Sequence, residues 1–223
     1  MNSDLAKRQR QAVKNFYEIH GASFGRTRGF TWEEEKLVAG RIQPGMTILD
    51  IGAGNGRFAK LVPEHANYIG IEPSSSLRAN ADPDLDIRDG ALPDLKQIPD
   101  QTADITICFA VFHHLPAEDR QRSMKELIRM TKAGGLIAAT AWIPTQFLPS
   151  DFDGQKQEED LLIPWEAEGS HAERYVHVFS MKEWTELWND SELIIEHIGM
   201  FGKSDWATSL SEARNWFAMA KRK

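Results

Sequence analysis

Residues 48–62, ILDIGAGNGRFAKLV, set an apolar run and Asp50 directly before Gly52, Gly54 and Gly56, and a helical pattern directly after them. Glycines at that spacing let the chain turn sharply from strand to helix and let a ligand approach the backbone, where side chains would collide. A dinucleotide-binding turn has the spacing GxGxxG, but Arg57 stands at its third glycine position and the pattern here is GxGxG. The spacing therefore favours S-adenosylmethionine over a dinucleotide. Asp50 agrees with this, since a carboxylate can organise the turn and the amino group of a methionine moiety but would repel a pyrophosphate. Ala53, inside the turn, joins the same expected cofactor set.

Other residues fall where a cofactor on that turn would need them. Glu72 lies 20 residues beyond Gly52 at the end of the next apolar run, where a carboxylate accepts from both ribose hydroxyls. Asp89, Gly90 and Ala91 leave the third run, and an aspartate there can accept from an adenine amino group; an ordinary Asp-Gly turn is the alternative. The segment FAVFHHLP brings Ala110 beside the cofactor and His113 and His114 to the edge where a methyl group would pass. A carboxylate acceptor is already ionised near neutral pH and needs only orientation and desolvation, which Arg28 and the histidines can supply. A hydroxyl or amine acceptor must lose a proton, making His113, His114 or His177 a candidate general base. Tyr17, Phe30, Trp32 and Trp165 suit either stacking on an extruded base or packing in a core or lid. No metal site is assigned.

These residues need a scaffold, and the pattern supplies a doubly wound, Rossmann-like α/β fold. Strands are expected at Thr47–Ile51, Tyr68–Glu72, Leu85–Arg88, Ile105–Phe109 and Leu136–Ala141. Helices are expected at Arg57–Val62 and Glu118–Thr131, the second stopped by Ala133-Gly134-Gly135. Two helices, Ala6–His20 and Trp32–Ile42, precede the sheet, with residues 21–30 (GASFGRTRGF) as a loop carrying Arg26 and Arg28. Periodicity fails over residues 143–172, which are expected to form an irregular substrate cap. Order returns at Arg174–Phe179, then a helix near Met181–Asn189 and strands near Leu193–Gly199 and Asn215–Ala220.

The 223 residues suit one domain: residues 1–45 as N-terminal helices and loop, 46–142 as the cofactor-binding core, 143–172 as the cap and 173–223 as the rest of the sheet. Apolar residues make up 41% and charged residues 26%, a globular balance, and no apolar run approaches the ~20 residues that span a bilayer. The polar N-terminus lacks the apolar segment of a secretory signal, so the chain is expected in the cytoplasm, away from membranes. Cys108, the single cysteine, sits in an apolar run and reads as a core side chain. The net charge of −7 disfavours a surface that is basic throughout, although residues 1–45 are mildly basic.

Taken together, ILDIGAGNG, the acidic end of the second strand, DGALP and TICFAVFHHLP resemble the motifs of class I S-adenosylmethionine-dependent methyltransferases across residues 47–142. That resemblance implies a seven-stranded, mainly parallel sheet with an antiparallel last hairpin, and S-adenosylhomocysteine as product. The flanks YEIHGASFGRTRGFTW, LIPWEAEG, RYVHVFSMKEWTELW and RNWFAMAKR are similar, more narrowly, to tRNA wobble-uridine carboxymethyl methyltransferases. This second resemblance implies a Thr27-Arg28 element near the cofactor carboxylate and substrate, His113 and His114 as the family's paired histidines, and Arg174, Tyr175 and His177 as its basic, aromatic late segment; Arg26, on the loop, and Trp165 are further substrate candidates. Eukaryotic members of that family work with a small zinc-binding activator protein. Against a tRNA substrate stands the acidic stretch DFDGQKQEED, a poor surface for a phosphate backbone. Two further readings are a small-molecule O- or N-methyltransferase and a noncatalytic cofactor-binding partner in a complex.

Overall fold

The computed structural model describes residues 2–26, 31–155, 159–167 and 170–223. In chain order it contains α1 (Asn2–Arg26), α2 (Glu33–Ala39), β1 (Thr47–Ile51), β2 (Asn67–Ile71), α3 (Ser75–Arg78), β3 (Ile87–Arg88) and β4 (Ala103–Cys108). Then come α4 (Ala117–Met130), β5 (Thr131–Trp142), β6 (Glu159–Ala167), β7 (Ser170–Val178), α5 (Met181–Leu187), β8 (Leu193–Phe201) and β9 (Asn215–Arg222). Seven strands form one sheet in the order β3-β2-β1-β4-β5-β9-β8, and β6 and β7 form a separate hairpin. The first five strands of the sheet run parallel, and β9 is antiparallel to both β5 and β8.

Helices cover both faces, so the central strands are apolar on both sides, as parallel strands with crossovers must be. The two-residue period divides them cleanly. Leu49, Ile51, Ile137, Ala139, Trp216 and Ala218 pack into one core with Met124, Leu127 and Ile128 of α4. Ile48, Ile105, Ile107, Leu136, Ala138, Phe217 and Met219 pack into the other with Val38 of α2 and Phe58. Cys108 is fully buried. No helix among the described residues is long and apolar enough to cross a membrane.

Four sequence expectations change. The glycines of residues 21–26 lie in α1, not in a loop. A Cβ on Gly21 would meet Leu77 Cγ at 2.9 Å, and one on Gly25 would meet Asn55 Nδ2 at 3.4 Å, so these glycines let α1 lie close against α3 and the glycine turn. Residues 143–172 are not irregular throughout: β6 begins at Glu159 and pairs with β7 from Glu159–Val178 to Ala167–Ser170. Its proline, Pro164, is tolerated because a two-stranded sheet is all edge. Helix α4 ends at Met130 and passes straight into β5, with Gly134 at φ +76° and a register shift against β4, so the glycine pair bends a strand instead of ending a helix. The segment after Gly56 closes as a 3-10 turn, Arg57–Leu61.

Candidate active site

A cavity of about 800 Å³ opens along the carboxyl edge of the sheet, with the glycine turn at one end and the ends of β5 and β9 at the other. Gly52, Gly54 and Gly56 all have left-handed φ, at 77°, 60° and 78°. Their surroundings differ. A Cβ on Gly52 would lie 2.3 Å from Val111 Cγ2, and one on Gly56 would lie 2.5 Å from Leu85 Cδ1, so both are held against protein. A Cβ on Gly54 meets nothing within 4 Å, and Gly54 lines the cavity. The turn is thus open to a ligand at Gly54, flanked by Gly52 and Ala53, while Gly56 lies outside the cavity.

Glu72 is aimed at this turn. Its carboxylate accepts from the Gly54 N–H at 2.9 Å and from the Ser74 N–H at 2.8 Å, and it lines the cavity. Burial pushes its pKa up to about 7, against the pull of those two N–H groups and of Arg78. A buried carboxylate at hydrogen-bond reach of the turn fits a ribose, whose hydroxyls would donate to it. Asp50 lies beneath the turn and outside the cavity lining. It accepts from Tyr68 Oη at 2.7 Å, tying β1 to β2, and burial pushes it up to about 7. Its observed contact joins β1 to β2 just before the turn.

Gly90 and Ala91 line the cavity, but the Asp89 side chain is 75% exposed and pairs with Arg78 at 2.8 Å, outside the lining. Contact with an adenine amino group, expected from its place in the sequence, would need the side chain to turn from solvent toward the cavity. Ala110 lines the cavity with a positive φ of 58°, held by its N–H donating to Thr140 Oγ1 at 2.9 Å. An L-residue keeps that conformation only when its surroundings enforce it.

His113 and His114 are both buried and both line the cavity. Their hydrogen bonds fix their tautomers. His113 Nδ1 accepts from the Trp142 N–H at 3.1 Å, which leaves its proton on Nε2. His114 Nδ1 lies 2.8 Å from the Tyr175 carbonyl oxygen, so it must donate there, and Nε2, 2.8 Å from Tyr17 Oη, accepts from that hydroxyl. Each unprotonated nitrogen is therefore already engaged, and neither histidine is set up as a base.

Of the residues expected on the substrate side, Arg174 reaches the cavity. It is 5% exposed, with its guanidinium 5.0 Å from the Trp142 ring centroid and 5.5 Å from that of Phe16. Tyr175 and His177 face the other way. His177 is gripped by Asp160 at 2.8 Å and Glu183 at 2.6 Å, Tyr175 Oη donates to Asp160, and Arg120 pairs with Glu183. This network docks the hairpin on α4 and α5. Burial pulls the His177 pKa down, but the two carboxylates raise it overall. Trp165 packs against Phe16 and His20 of α1, away from the cavity lining. Arg28 and the Arg26 side chain lie outside the described residues.

Several cavity residues carried no assigned role in the sequence. Glu34 and Asn215 bond to each other at 2.6 Å, and Arg57 stacks on Trp32 at 4.5 Å while pairing with Glu35. The sequence places Glu34 in the Trp32–Ile42 helix, and nothing local links it to residue 215.

Residues 49–139 match the family described as methyltransferase domain. The chain is 29% identical over 161 residues to a tRNA (carboxymethyluridine(34)-5-O)-methyltransferase of Arabidopsis thaliana, covering 70% of this chain but 36% of that protein's length. Among solved structures, an S-adenosylmethionine-dependent methyltransferase of Methanosarcina mazei superposes with a TM-score of 0.65 at 20% identity, covering 83% of this chain and 96% of that one. The methyltransferase chain of a Haloferax volcanii complex with the Trm112 methyltransferase activator superposes with a TM-score of 0.64 at 15% identity, covering 94% and 97%. These structural likenesses carry the fold.

Proposed function

We propose that this chain, a class I S-adenosylmethionine-dependent methyltransferase by its domain and its fold, methylates a carboxymethyl group on a wobble uridine of tRNA. The observation that carries the acceptor chemistry is the state of the two histidines. With His113 Nδ1 and His114 Nε2 already accepting hydrogen bonds, the two histidines are not arranged as the base that a hydroxyl or amine acceptor would need. Arg174 lines the cavity with its guanidinium beside Trp142. A cation in the wall suits an acceptor that arrives as an anion.

S-adenosylmethionine, when bound, supplies a methyl group on a sulfonium, an electrophile that needs alignment more than activation. The residues that would hold it are the Gly52–Gly54 turn, Glu72 under the ribose, Gly90 and Ala91 along the base, and Ala110 beside the sulfur. A carboxylate acceptor would bring no proton to remove, which leaves alignment and desolvation to this chain's residues. Arg174 and His113 orient it, and the walls of Phe109 and Trp142 keep water from competing. Arg28 is assigned to the same task from the sequence resemblance.

The tRNA half of the reading is supported by the Arabidopsis relative and by Lys14, Lys203 and Arg214 around the cavity. A small activator like the partner in the Haloferax complex belongs to the proposal, as do a single-domain organisation and a cytoplasmic site of action. The test is transfer of labelled methyl into total tRNA and into a metabolite extract, with and without the activator. Label in tRNA that mild base removes supports an ester. Label confined to the metabolite pool refutes the RNA substrate and favours a small-molecule acceptor.

A further inference from the structure

The cavity wall also holds a buried polar pair, Glu34 and Asn215. Glu34, in the first turn of α2, is 2% exposed, and Asn215, the first residue of β9, is 6% exposed. Asn215 Nδ2 donates to Glu34 Oε1 at 2.6 Å, and both line the cavity. Asn215 sits opposite Trp142 and Phe201 in the sheet register, so its position is set by strands on both sides. Burial raises the Glu34 carboxyl, while its own backbone N–H, Asn215, Arg57 and Arg214 favour its ionised form. Beside the pair, Arg57 and Trp32 stack at 4.5 Å and line the same chamber.

Each carboxylate oxygen has two lone pairs, so a carboxylate that holds the Asn215 amide and its own backbone N–H keeps acceptor capacity, and an amide nitrogen that has donated one hydrogen carries a second. An acceptor and a donor thus stand side by side. Their complement is a ring edge with an N–H next to a carbonyl. We infer that Glu34 and Asn215 read the N3–H and an adjacent carbonyl of a uracil-type pyrimidine, with Trp32 and Arg57 flanking the ring. The pair rejects cytosine, whose N3 lone pair would meet the Glu34 carboxylate and whose exocyclic amine would meet the Asn215 amide. This inference rests on the proposed acceptor and adds the group that selects its base.

The test compares two short anticodon stem-loop RNAs, one with 5-carboxymethyluridine at the wobble position and one with the same base methylated at N3. The intact chain should have a kcat/KM at least about tenfold lower on the N3-methyl RNA, the loss expected for a removed hydrogen bond to a charged group. Glu34→Gln keeps the shape and an oxygen for Asn215 but turns a donor toward N3–H, and should bring the two RNAs within about threefold of each other. Asn215→Ser should weaken the preference in the same direction. Cofactor affinity measured by calorimetry should match the unsubstituted protein in both variants, which reports an intact fold. Equal rates on the two RNAs, or full preference kept by Glu34→Gln, overturn this inference and leave carboxymethyl transfer standing. No transfer to either RNA overturns the proposed acceptor, and the base reading with it.

Discussion

Glu72 makes cofactor affinity a function of pH in a computable way. Its carboxyl is buried and pushed up to about 7, from an ordinary value of 4.5. Ribose hydroxyls donate to the ionised form, so a ligand seated over Glu72 favours loss of the proton. With a pKa near 7, the carboxylate fraction in the ligand-free protein is about 9% at pH 6 and about 91% at pH 8. Affinity should therefore rise about tenfold between those values and level off above them. Near pH 7, binding should release about half a proton, measurable by calorimetry in two buffers of different ionisation enthalpy. Asp50 is also pushed up to about 7, so the assignment needs a control. Glu72→Gln should bind about tenfold to a hundredfold more weakly and show no pH dependence from this site, whereas Asp50→Asn should retain it. The sign for stability is opposite. The folded, ligand-free protein holds these two protons where the unfolded chain has lost them, so their contribution to stability falls as pH rises from about 4.5 toward 7 and is flat above. Equal affinity at pH 6 and pH 8 would refute the reasoning.

Three more outcomes follow from the same geometry. Gly52→Ala forces a methyl group to 2.3 Å from Val111 and should cost roughly 2 kcal/mol or more of unfolding free energy. Gly54→Ala meets no neighbour and should cost only about 1 kcal/mol, while cofactor affinity falls about tenfold; unchanged affinity would dismiss the turn as the cradle. Tyr17→Phe removes the hydroxyl that donates to His114 and should lower kcat with cofactor affinity unchanged, at a stability cost of about 1–2 kcal/mol by chemical denaturation. His177 is raised above its ordinary 6.5, so its contribution is fully present below about 6.5 and is lost as pH climbs through the raised value. His177→Gln should flatten a denaturation profile taken from pH 6 to pH 9, and an unchanged profile would remove the charged histidine from the docking of the hairpin.

What could be read from the sequence was what neighbours in the chain decide. GxGxG after an apolar run gave the turn, and alternation of apolar runs with helical periods gave the parallel half of the sheet, because both depend on a few adjacent residues. Glu72 followed from spacing along one βαβ unit. The errors arose where distant contacts overrule local preference. Gly21 and Gly25 read as loop residues because their reason, the closeness of α3 and the turn, lies more than 25 positions away. The hairpin went unread because its acidic flank and Pro164 mask the alternation of LLIPW. His177 read as a substrate group because nothing local reveals that Asp160 and Glu183 hold it from both sides. The donor role of His113 depends on one backbone N–H, Trp142, which no spacing rule connects to it.

The place of β9 between β5 and β8 also sets an order of events during synthesis. The glycine turn, Glu72 and both histidines belong to residues 52–114, whereas Asn215 and the strand that pairs with Leu136–Trp142 emerge about a hundred residues later at the ribosome. Until then β5 offers an unpaired edge carrying Ile137, Ala139 and Ala141, side chains that are fully buried in the finished sheet. Such an edge is a template for pairing with another chain. The nascent protein thus completes its glycine turn first and is most exposed to aggregation in the interval before β9 covers β5.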